Sequence, residues 1–124
     1  MPIQESGEMY LETILILRGK LPQVRAIDIV AETGYSKPSI SRAISLLKND
    51  GLVLVDDSSY ITLTPDGEAI AKGIYERHRV LTELFIKLGV NAKVAAEDAC
   101  KIEHCISNET FEKVKEYEKK LRGI

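Results

Sequence analysis

The sequence predicts a mainly α-helical fold interrupted by one β-hairpin, and three observations carry that expectation. Six stretches repeat apolar residues at spacings of three and four, the signature of one helix face. Two short β-prone runs, Leu52-Val53-Leu54-Val55 and Tyr60-Ile61-Thr62-Leu63, flank the turn-forming Asp56-Asp57-Ser58-Ser59. Ser36, Thr64 and Ser107 stand as N-caps where three of the helical stretches begin. With 44% hydrophobic and 29% charged residues among 124, the chain can build one domain or two small ones.

Taken in order, the first helix is expected from about Ser6 to Arg18, with Tyr10 or Leu11, Ile14, Leu15 and Leu17 inward and Gly19 at the C′ position. Met9 and Glu12 share a face of it, one turn apart. Leu21-Pro22-Gln23-Val24 breaks the pattern, and a short helix is expected from about Arg25 to Thr33 with Ile27, Val30 and Ala31 inward. Gly34 supplies the next turn. A third helix opens after Ser36 with Pro38 in its first turn and buries Ile40, Ala43, Ile44 and Leu47 before Asn49-Asp50-Gly51 ends it. After the hairpin, a long helix runs from Thr64-Pro65 to about Leu88, with Ile70, Ile74, Val80, Leu81, Leu84 and Phe85 available for burial. Gly89-Val90-Asn91 closes it. A helix from about Ala92 to Ile106 follows, and a last one begins at Ser107-Asn108 with Phe111, Val114, Tyr117 and Leu121 on one side.

Two short helices about a glycine turn, the second with a small polar and basic outer face, followed by a hairpin, form the pattern of a winged helix-turn-helix. Ser39, Ser41 and Ser45 would let the helix sit deep in a major groove, while Arg42 can reach guanine or phosphate. Net charge is −2, but residues 18 to 48 carry six cations against Asp28 and Glu32, so this stretch is +4 and the remainder −6. That asymmetry favours a phosphate-facing surface. Arg25, Ser36, Lys37, Pro38, Ser39, Ser41, Arg42, Ser45 and Lys48 are the candidate contacts to double-stranded DNA. The wing tip is acidic, so Asp56 and Asp57 are not expected to touch phosphate. A winged helix used as a protein-interaction module has the same layout.

Asp98 to Cys105 packs a thiol, a carboxylate and an imidazole closely together. At about 100° per residue, Cys100, Glu103 and His104 fall within an arc of roughly 100° on a helix. Cys105 is turned about 140° from Cys100 and faces elsewhere. Sulfur, oxygen and nitrogen donors at this spacing suit a transition metal. The same residues also suit a half-buried helix whose Cys packs as a small hydrophobe and whose Glu and His are solvated. His78 on the long helix is by itself an ordinary surface or core histidine.

Glu8-Met9-Tyr10-Leu11-Glu12, Ser36-x-Pro38-Ser39-x-Ser41-Arg42, Leu63-Thr64-Pro65-x-Gly67, Arg77-His78 and Cys100-x-x-Glu103-His104 together resemble, in order and spacing, the diphtheria-toxin-repressor family of metal-dependent transcriptional repressors. The resemblance implies a winged-helix DNA-binding domain over 1–72 and a helical metal-binding and dimerisation domain over 73–124. It also implies no third domain, a layout similar to the manganese-transport-regulator branch. Met9, Cys100, Glu103 and His104 match primary-site ligands of the iron-responsive branch, where the manganese-responsive branch has carboxylates at the first two. Glu12 matches a manganese-branch ligand, and His78 is shared. Thr82 and Ala96 stand where a second metal site would have Glu and His. The expected cofactor is Fe²⁺ first and Mn²⁺ next, with Co²⁺, Ni²⁺ or Zn²⁺ able to bind in vitro. The expected assembly is a homodimer on a palindromic operator, with metal as co-repressor of metal-uptake genes.

Other classes are compatible with parts of this pattern. A winged-helix regulator could sense a small molecule or thiol oxidation through Cys100. A metallohydrolase could use Glu103 as general base beside a metal-bound water, but no second motif for substrate or oxyanion stabilisation accompanies it, so no enzymatic activity is expected. Without a basic leader or a long apolar run, the chain is expected to be cytoplasmic with no membrane partner.

Overall fold

The computed structural model describes residues 5–123; residues 1–4 and 124, at the outer ends of the two expected domains, lie outside it. The elements follow one another as α1 (Glu5–Arg18), α2 (Ala26–Thr33), α3 (Lys37–Asn49), β1 (Val53–Val55), β2 (Ile61–Leu63), α4 (Pro65–Lys87), α5 (Ala92–Ile102) and α6 (Asn108–Arg122). Two compact units divide the chain, Met1–Lys72 and Gly73–Ile124. No helix among the described residues is long and apolar enough to cross a membrane.

In the first unit, Leu11, Ile14 and Leu17 of α1, Ile29 of α2, and Ile40, Ile44 and Leu47 of α3 share one core with Leu52, Val53, Ile61 and Ala71. The α2 stripe keeps Val30 of the expected residues but not the other two: Ile27 is 65% exposed and Ala31 also faces solvent. Starting instead from Ala26, the helical spacing reaches Ile29, Val30 and Thr33, and these are the residues that turn inward. Helix α1 also ends differently, because Gly19 does not take a positive φ. Its amide bonds to the Ile16 carbonyl at 3.1 Å, a tightened last turn. Gly34 does take φ +78 and bonds back to Val30 at 2.8 Å, so α2 can stop and α3 start within four residues. Ser36 caps α3 by accepting from the Ser39 amide at 3.3 Å.

The hairpin is one residue shorter per strand than expected, with Val53 opposite Leu63 and Val55 opposite Ile61 in antiparallel register. Asp56 builds its tip: Oδ1 accepts from the amides of Ser58 and Tyr60, both at 2.9 Å. The acidic wing tip therefore serves the turn. Thr64 joins hairpin to α4 by donating to the Gly51 carbonyl at 2.7 Å and accepting from the Gly67 amide at 3.1 Å. Gly67 must be glycine, since a Cβ there would lie 1.9 Å from the Leu52 carbonyl oxygen.

In the second unit, Asn91 caps α5 and Ser107 caps α6 through their side chains. Helix α5 stops at Ile102, four residues before the expected end, where the Cys105 amide reaches back only three residues to the Ile102 carbonyl and tightens the chain into a turn. On α6 the buried stripe runs through Phe111 and Glu118, while Tyr117 is 57% exposed. Seven residues make nearly two full turns, so Glu118 and not Tyr117 repeats the position of Phe111. This buried carboxylate was not foreseen. Its Oε1 lies 3.0 Å from Lys87 Nζ and its Oε2 2.9 Å from Arg122 Nε. Burial pushes the Glu118 carboxyl up, yet hydrogen bonds with Lys87 and Glu83 and the charges of Arg122 and Lys87 outweigh it, leaving Glu118 below the ordinary carboxylate value.

Candidate metal centre and nucleic-acid face

On α1, Glu12 is buried and Met9 half-buried, on a shared face as their spacing requires. Thr13 donates to the Met9 carbonyl at 2.8 Å and lies 3.8 Å from the Met9 sulfur. The burial of a glutamate marks this turn as special, since glutamates are almost never buried unless paired.

The second unit gathers three of the sequence-predicted donors. Glu103 follows α5 in right-handed conformation (φ −56, ψ −26), with its amide still bonded to the Ala99 carbonyl at 2.9 Å. The backbone thus carries the helical arc one residue further although the helix has ended. Glu103 is fully buried; its Oε2 lies 2.8 Å from His78 Nδ1 of α4, and its Oε1 3.3 Å from His104 Nε2. The second contact is a close approach that does not make a hydrogen bond, so Oε1 is buried without one. Cys100 stands exposed on α5, one turn before Glu103, and Cys105 is exposed as well.

A buried carboxylate oxygen that accepts no hydrogen bond costs about 1–3 kcal/mol or more when ionised. A cation offsets that cost. Carboxylate and imidazole donors suit divalent first-row metals, and a neutral imidazole presents a lone pair to them. The donor set therefore fits a divalent transition metal on the chemistry of Glu103, His78 and His104. Thr82 donates its hydroxyl proton to the His78 carbonyl at 2.7 Å, a bond internal to α4.

In the first unit, the candidate DNA contacts cluster on α3 and its surroundings. Lys37, Pro38, Ser41, Arg42, Ser45 and Lys48 are exposed. A groove of about 490 Å³ is lined by Arg25, Lys37, Ser41, Ser45 and Lys48, with Ile27, Val55, Ser59 and Ile61 completing its walls. Arg42 lies beside a shallower depression with Ser41, Ser45 and Leu46. Arg25 stacks over the Tyr60 ring at 4.5 Å. Ser36 and Ser39 are engaged with each other, their hydroxyls 2.9 Å apart. Two apolar residues of this face differ from the sequence reading, which placed Ile27 inward and left Leu46 unnamed; each is 65% exposed. The signal available for Leu46 was its place between the buried stripe and Arg42, one turn along the same face.

Residues 64–122 match the family described as iron dependent repressor, metal binding and dimerisation domain. The transcriptional regulator MntR of Salmonella typhimurium is 31% identical over 103 residues, covering 83% of this chain and 66% of that protein. The diphtheria toxin repressor of Corynebacterium diphtheriae is 28% identical over 106 residues, 85% of this chain and 47% of that one. Among solved structures, the manganese regulator SloR superposes with a TM-score of 0.80 at 25% identity, covering 94% of this chain and 54% of that chain. The chain thus spans between about half and two thirds of the length of these relatives.

Proposed function

We propose, from the premise that this chain belongs to the metal-dependent repressor family, that it is a DNA-binding transcriptional regulator whose grip on its operator is set by a divalent metal. The single observation that carries the reading is Glu103: a buried carboxylate between two imidazoles, with one oxygen accepting no hydrogen bond. What sets it apart from Glu118, which also keeps one oxygen without a hydrogen bond, is that its neighbours are imidazoles, themselves able to bind a metal, and not a lysine and an arginine. By resemblance, Met9, Glu12, His78, Cys100, Glu103 and His104 are the ligands, and Fe²⁺ is favoured over Mn²⁺ because thioether and thiolate are softer donors than carboxylate. The metal, when bound, supplies positive charge and a fixed coordination geometry.

The chain's own residues supply the rest. Ser39, Ser41, Arg42 and Ser45 would face base edges, and Arg25, Lys37 and Lys48 would hold the phosphates. Acting as a dimer, it would meet a palindrome whose half-sites are about 34 Å apart, or a multiple of that. Differential affinity for the DNA-competent state would make the metal a co-repressor. No reaction is assigned to it.

Mobility-shift titrations on the DNA upstream of its own coding sequence test this. Binding should tighten at least ~10-fold on replacing chelator with Fe²⁺ under anaerobic conditions or with Mn²⁺, with Fe²⁺ acting at lower concentration. Equal affinity in chelator and in both metals would sink the proposal. Binding indifferent to metal but lost on thiol oxidation in the parent and kept in Cys100→Ser would move the sensing role to Cys100.

A further inference from the structure

We infer that Arg77 is a positioning residue for the metal centre: its guanidinium fixes the turn from Glu103 to Ile106, and through it the Glu103 carboxylate and the His104 imidazole. This rests on the reading of Glu103 and His104 as ligands. Because α5 ends at Ile102, both residues sit on irregular backbone, and carbonyls at a helix end need partners from outside the helix. Arg77 provides them. Its Nη1 donates to the Glu103 carbonyl at 3.2 Å and the Ile106 carbonyl at 2.7 Å, and its Nη2 donates to Oδ1 of Asn108, the first residue of α6. The guanidinium also lies 5.4 Å from the centre of the Phe111 ring.

One half-buried side chain therefore holds both ends of the segment that carries two donors. Arg77 and His78 are consecutive on α4, so a single turn reaches Glu103 twice. His78 meets its carboxylate at 2.8 Å and Arg77 meets its carbonyl. The side chain and the main chain of the same ligand are fixed from one rigid helix before any metal arrives. That preorganisation is what a coordination site requires of its supporting groups. Lysine cannot reproduce it, since three acceptors in different directions need the planar fork of a guanidinium.

The test uses the full chain, without DNA, and the variants Arg77→Lys, Arg77→Met and Asn108→Ala. Mn²⁺ affinity is measured by calorimetry, the Co²⁺ absorption spectrum reports coordination geometry, and circular dichroism with thermal unfolding reports the apo fold. Both Arg77 variants should stay helical, bind Mn²⁺ about 10–100-fold more weakly and shift the Co²⁺ bands. Asn108→Ala keeps both carbonyl contacts and should stay near the parent. A folded Arg77→Met with parental affinity and spectrum would overturn the inference, as would loss of the fold in both Arg77 variants, which would make Arg77 purely structural. Parental protein that binds neither Mn²⁺ nor Co²⁺ would instead overturn the ligand assignment itself, and the inference with it.

Discussion

The two units of this chain are stabilised by different physics. The first closes on an apolar core in which Leu11, Ile29, Ile40 and Val53 are completely buried. The second also buries Val80, Ala95, Ala99 and Phe111, but places two fully buried carboxylates, Glu103 and Glu118, among its hidden residues. Apolar burial is additive and tolerant, because one aliphatic side chain can replace another of similar volume. A buried carboxylate is conditional on its partners, and each partner has to be in place. Glu118 has its cations within the chain, Lys87 and Arg122. Glu103 faces the imidazoles of His78 and His104 instead, and like Glu118 it keeps one oxygen without a hydrogen bond. The first arrangement suits a structural brace and the second a ligand-dependent centre.

Three substitutions sharpen that contrast, and the largest effect is expected at Gly67. Gly67→Ala drives a Cβ into the Leu52 carbonyl oxygen 1.9 Å away, backbone that cannot yield cheaply. It should cost about 4 kcal/mol, the upper range for single substitutions, read as a loss of midpoint in urea unfolding. A variant as stable as the parent would mean that the junction between hairpin and α4 is far more pliable than the core it closes.

Glu118→Gln comes next, at about 3 kcal/mol or less. Breaking a buried pair typically costs about 3–5 kcal/mol, but Lys87 and Arg122 keep part of their solvent exposure and can regain water. The pH dependence has a definite sign. Because the folded carboxyl titrates below its ordinary value of 4.5, its stabilisation is present above that value and is lost as pH falls through the folded one. Unfolding midpoints measured from neutral pH downward should therefore fall less steeply below about 4.5 in Glu118→Gln than in the parent. Parallel acid limbs in the two proteins would remove Glu118 from the stability of the second unit.

The smallest effect is expected from Ser36→Ala. It removes a hydroxyl that accepts the Ser39 amide and should cost about 1 kcal/mol, by the same urea midpoint. An unchanged midpoint would mean that the first turn of α3 is held by packing of Ile40 alone.

Period and punctuation were enough to determine most of the architecture. The stripe Ile40, Ile44, Leu47, the cap at Ser36 and the hairpin around Asp56 to Ser59 follow from local rules, which act over a turn or two of chain. The same rules grouped Glu103 with His104, because neighbouring positions in right-handed backbone stay neighbours even past the end of α5. Tertiary structure alone decided the rest. Ile27 faces solvent because the inward face of α2 starts from Ala26, a choice that depends on what lies against it. Glu118 could be recognised as buried only once Lys87, 31 residues away, stood 3.0 Å from it. Arg77 carries no periodic signal at all. Its partners are backbone carbonyls at 103 and 106, groups that every residue possesses and that no sequence pattern distinguishes, so their need for a donor appears only when a helix stops short of them.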